Sequence, residues 1–171
     1  MLRVFVFSFA LLQVIGDKPV PSAAHVPAAD IETALKDILA QNRNDIPVLT
    51  MNAGSHNIEV AVAQMRRPTS GNSHDAVTEM YYVLEGGGTH VSGGTLVNPR
   101  KSVSEMAGPG LYGDGIQGGT ARRVVKGDYI IIPAGTPHAW TELDGGRPVS
   151  YLDIRVDPNG ILKPLGKRRL K

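Results

Sequence analysis

At 171 residues, 42% of them hydrophobic, the chain can bury one substantial core and is too short for two full domains. A formal charge of only +2 argues against a polyanion-binding surface, and the absence of cysteine removes disulfides and thiolate metal ligands. With 20 Gly, 12 Pro and few aromatic residues, the composition favours short strands joined by many turns over a helix bundle, so the expected class is mostly β.

In chain order, Arg3 precedes an apolar run, Val4 to Ile15, and small residues follow at Ser22-Ala23-Ala24. The run is too short to span roughly 30 Å of hydrocarbon as a helix, and the order reads as a signal peptide over residues 1–24. The expected location is therefore secreted or periplasmic, otherwise cytoplasmic, with no stable membrane anchor. Residues 25–44 read as a Pro/Ala-rich linker followed by one short amphipathic helix, with Asp30 as N-cap and Ile31, Ala34, Leu35, Ile38 and Leu39 at helical spacing.

From Ile46 the period becomes that of strands. Ile46 to Met51 is one, and Ile58, Val60 and Val62 alternate with Glu59, Ala61 and Ala63 in a second. Val77–Leu84, Arg123–Val125, Tyr129–Ile132, His138–Glu142 and Val149–Val156 supply the rest. Between them, residues 87–126 are glycine-rich and read largely as a long excursion near one end of a barrel. The basic run Lys163–Lys171 ends a tail over residues 158–171 and reads as solvated, with no nucleic-acid partner expected.

Chemistry concentrates in two stretches. In GNSHDAVTEMYYVLEGGG, Asn72 and His74 share a face and Glu79 opens the next strand; in GDYIIIPAGTPHAWTE, a strand ends at Pro133, the chain turns, and His138 starts another with Trp140 and Glu142 on its face. If these strands line one interior, two imidazoles, a carboxylate and an optional amide oxygen surround a point. That set suits one divalent transition metal, whether Fe, Mn, Ni, Cu, Co or Zn. Tyr81, Val83 and Trp140 read as pocket lining for a small, partly hydrophobic molecule. Glu142 is the candidate catalytic group, with the roles of general base, further ligand and hydrated rim residue all open to it. His25, His56 and His90 read as surface residues of linkers and turns.

The two stretches resemble the cupin motifs. Asn72-Ser-His74-x4-Glu79-x6-Gly86 matches the first in spacing, and Gly127-x5-Pro133-x-Gly135-x2-His138 matches every fixed position of the second except the last, where Glu142 stands for Asn. In the first motif, Arg66 takes the place of the opening glycine and Asn72 that of the first histidine. The resemblance spans residues 45–157 and implies a single double-stranded β-helix (jelly-roll) barrel after a short N-terminal helix, with His74, Glu79 and His138 as metal ligands. It implies a metal-dependent enzyme on a small organic molecule, with an oxidoreductase of dioxygenase type foremost and isomerisation or decarboxylation behind. A non-catalytic small-ligand-binding or scaffold protein is the alternative, and a homodimer is compatible with either.

Overall fold

The computed structural model describes residues 22–162 except residue 105. The apolar run of the expected signal peptide and the basic run from residue 163 lie outside the described residues. Helix α1 (Ala28–Ala40) starts earlier than the periodicity indicates: Pro27 is the N-cap and its carbonyl accepts the Asp30 N–H at 3.0 Å. Asp30 is thus a first-turn acid, favourable to the helix dipole, rather than the cap.

Thirteen strands follow: β1 (Asp45–Asn52), β2 (Asn57–Met65), β3 (Asn72–His74), β4 (Thr78–Glu85), β5 (Gly87–Ser92), β6 (Thr95–Val97), β7 (Arg100–Ser104), β8 (Gly108–Tyr112), β9 (Gly115–Gln117), β10 (Thr120–Val125), β11 (Tyr129–Ile132), β12 (His138–Leu143) and β13 (Val149–Asp157). Every pairing is antiparallel. One sheet runs β1-β2-β13-β4-β11, a second β10-β5-β12-β3-β8-β7, and β6 with β9 form a separate ribbon. Val83, Ile132, Val149 and Tyr151 from the first sheet pack with Val124 and Trp140 from the second, so the core lies between them.

The long stretch read as an excursion is therefore mostly strand. Its glycines conceal this, because they are selected for close approach rather than for turns alone: a methyl at Gly88 would strike the Glu142 carbonyl oxygen, and one at Gly110 that of Ser73.

Helix α1 determines which way the first sheet faces. Its Ala34 and Ile38 bury against Ile46 and Val62, with Leu152 packed alongside, each Ile, Val or Leu side chain contributing about 1.5–3 kcal/mol when fully covered. The apolar row of β13 (Leu152, Ile154, Val156) is thereby directed outward, and the alternate residues Tyr151, Asp153 and Arg155 are buried inside. The same reversal turns Glu59, Ala61 and Ala63 of β2 inward. Among the described residues, no helix is long and apolar enough to cross a membrane.

Candidate metal centre

Both sheets contribute to one polar cluster. Asn72 and His74 come from β3 and His138 from β12, where His138 is the register partner of Asn72. Glu79 and Tyr81 come from β4, directly across from Arg155 and Asp153 of β13. One donor atom from each of His74, Glu79 and His138 lies within 4.8 Å of the others. His138 Nε2 is 3.1 Å and His74 Nε2 3.6 Å from Glu79 Oε2. His138 Nδ1 donates to the Thr136 carbonyl at 3.0 Å, which holds the ring with Nε2 toward its neighbours, the orientation a metal-binding imidazole requires.

Asn72 lies beside this cluster. Its amide lies 2.9 Å from His74 Nε2 and 3.4 Å from His138 Nε2, and a half-turn of the amide puts its carbonyl oxygen in the nitrogen's position. The Tyr81 hydroxyl donates to Glu79 Oε2 at 3.3 Å.

Burial would raise the Glu79 pKa, but the hydrogen bond and charge of His138, with His74 and Arg155 behind them, hold it well below the usual carboxylate range. Burial would lower His138, and the Glu79 hydrogen bond and charge reverse that, so His138 is raised. His74 is lowered, chiefly by burial, with Glu79 partly offsetting it. Burial and the Glu79 charge push the Tyr81 phenol well up, keeping it a neutral donor. An ionised carboxylate between two imidazoles fits a divalent first-row ion by both charge and donor type.

The donors border a cavity of about 320 Å³ whose wall also includes Tyr81, Trp140, Tyr151, Asp153 and Arg155. Tyr81 and Trp140 both border the cavity. Val83 does not: it is fully buried in the apolar core and is not part of the cavity wall. Glu142 is not part of the cavity wall either, and of the three roles open to it the exposed position matches the hydrated residue. The β12–β5 register slips between Trp140, paired with His90, and Glu142, paired with Thr89. This bulge ends the alternation that would put Glu142 beside His138, and the exposed carboxylate instead accepts the Thr89 hydroxyl at 2.8 Å.

Sequence reasoning passes over four residues. Arg155 pairs with Asp45 at 2.7 Å, Glu59 at 2.8 Å, Asp153 at 2.6 Å and Glu79 at 3.7 Å. No role is assigned from sequence to Asp45, Asp153 or Arg155, whose inward facing follows from α1 covering the opposite face of the sheet. His90, read as a surface residue, is 2% exposed on β5, edge-on to Trp140 at 5.1 Å and stacked on His138 at 6.2 Å.

Both motif stretches deliver their side chains to one point between the two antiparallel sheets, each stretch passing from one sheet to the other. The fold is that of a cupin. No protein-family model and no curated protein sequence matches the chain. Among solved structures, the chain is similar to the DMSP lyase DddQ from Ruegeria pomeroyi at 18% identity and a TM-score of 0.44, covering 71% of this chain and 52% of that one. The chain thus spans about half the lyase's length. A cupin protein from Bacteroides fragilis is 16% identical with a TM-score of 0.37, over 60% of this chain and 67% of that one. An iron(II) form of HppE is 17% identical with a TM-score of 0.41, over 65% and 49%.

Proposed function

We propose that the protein is a metal-dependent enzyme acting on a small organic molecule held in the cupin cavity, with dioxygen-dependent oxidation as the reaction type. The observation that carries this reading is the convergence of His74, Glu79 and His138 at the wall of one cavity. Those residues would hold one divalent transition ion, with Asn72 beside them. Such an ion supplies a Lewis-acidic centre and, for its redox-active members, electron transfer.

The chain's own contribution is positioning and proton control. Tyr81, kept protonated by burial and the Glu79 charge, is a hydrogen-bond donor next to the donor set. Trp140 and Tyr151, both nearly fully buried, exclude water from the inner wall and strengthen every charge interaction there. Glu142 is given no role in this scheme, since it is exposed, bonded to Thr89 and not on the cavity wall.

The test is dioxygen uptake by the metal-loaded protein across a panel of small hydroxy, keto and amino acids, with His138→Ala as control. Turnover of one compound that disappears in the variant supports the reading, and metal uptake without turnover of any member opposes it. The second reading, a non-catalytic binder of small ligands, is favoured by one observation: the expected extra carboxylate is absent from the cavity wall.

A further inference from the structure

The cavity has a second polar pole opposite in character to the metal donors. Four carboxylates, those of Asp45, Glu59, Glu79 and Asp153, surround the single guanidinium of Arg155. If a divalent ion takes up the charge of Glu79, three acids still share one cation. Of these acids, Asp153 is incompletely paired. One of its oxygens, Oδ2, is held by Arg155 at 2.6 Å, while Oδ1 has no hydrogen-bond partner among the described residues, although the residue is 2% exposed and borders the cavity. A bare, buried carboxylate oxygen is costly unless something donates to it.

The surroundings indicate what that donor is. Tyr81, Trp140 and Tyr151 border the same cavity, with Tyr81 and Tyr151 at 4.4 Å between ring centroids and Tyr151 and Trp140 at 5.9 Å. A surplus carboxylate with aromatic rings at its side suits an organic cation, through a charge-assisted hydrogen bond and ring quadrupoles together. Because Arg155 touches both Glu79 and Asp153, only the width of a guanidinium group separates the two poles.

We propose that Asp153 is the binding residue for an ammonium group, and that the cavity takes a short amino acid whose ammonium meets Asp153 while its carboxylate lies toward His74, Glu79 and His138. The carboxylate half of this assignment rests on the metal-centre reading above, and the ammonium half does not. In the empty cavity a proton substitutes for the ammonium: burial first, then the Glu79 and Asp45 charges, push the Asp153 carboxyl well above its usual range despite Arg155.

The test uses 3-aminopropanoate and propanoate, which differ only in the ammonium, titrated calorimetrically into the full chain with and without added cobalt(II). The wild-type protein should bind 3-aminopropanoate about tenfold tighter or more, the factor one charge-assisted hydrogen bond contributes. In Asp153→Asn the two should bind within about twofold of each other, with cobalt uptake unchanged and a melting curve that confirms the fold. A wild-type ratio near one, no binding of the amine, or a ratio preserved in the variant overturns the proposal. A preserved ratio in wild-type protein that takes up no cobalt overturns the metal reading instead and leaves the ammonium pole standing.

Discussion

Arg155 Nε lies 3.7 Å from Glu79 Oε1 while His138 Nε2 lies 3.1 Å from the other oxygen of the same carboxylate. One side chain therefore joins the metal donors to a buried ion network, and the stability of the barrel is tied to the electrostatics of the site. Removing the guanidinium leaves Asp45, Glu59 and Glu79 without their buried cation. Arg155→Met should cost about 3–5 kcal/mol at pH 7, the usual penalty for breaking one side of a buried pair. Urea denaturation of both proteins at pH 7 checks this.

Glu142→Gln makes the opposite case. Its carboxylate is exposed and bonded only to Thr89 among the described residues, so metal content and ligand affinity should be unchanged and stability should move by no more than about 0.5 kcal/mol. Calorimetry and a thermal melt measure both quantities; a tenfold fall in metal or ligand affinity would return Glu142 to the site.

Asn72 sits in β3 with its amide toward both imidazoles rather than toward the turn at Gly71. Asn72→His replaces a weak neutral donor with a strong one on the same strand face, and should tighten metal binding by about tenfold or more with the melting temperature of the metal-free protein nearly unchanged. Unchanged affinity with a lower melting temperature would show that the amide is structural.

The parts of this molecule that were legible in the sequence are those where local pattern and tertiary role agree. Tyr129–Ile132 is a strand with the same bounds in both readings, and the spacing of His74, Glu79 and His138 leads to one cluster. Where tertiary context reverses the local signal, the reading fails. Asp153 and Arg155 alternate with Leu152 and Ile154, and alternation alone assigns the charges to water; the helix covering Leu152 assigns them to the interior. Glu142 fails because a bulge adds a residue to the strand count, and nothing local at Trp140-Thr141-Glu142 marks it. His90 was hidden by the glycines around it, which read as turn residues but allow strands to approach closely.

His90 also shapes the acid response. Burial first, and then the neighbouring His138, lower its pKa from 6.5 to about 4. Between those values the unfolded chain carries a proton that the folded chain refuses, so stability falls as pH drops from 6.5 toward 4, by about 3 kcal/mol in all, and the loss is complete below about pH 4. His74, also lowered, adds to the slope, and His138, which is raised, opposes it. The difference between wild type and His90→Phe isolates the His90 share: denaturant melts of the metal-free protein at several pH values should give a shallower decline for the variant across this window. Parallel curves would contradict the assignment.

The central claim is that His74, Glu79 and His138 form a metal centre. Elemental analysis of protein purified without an affinity tag tests it most directly, alongside His138→Ala prepared in the same way. Loss of one of three strong donors removes much of the affinity, so the account predicts about one transition-metal ion per chain in the wild type and roughly a tenth of that or less in the variant. Wild-type protein without stoichiometric metal after incubation with iron, manganese, cobalt, nickel, copper and zinc, or a variant with undiminished content, would contradict it.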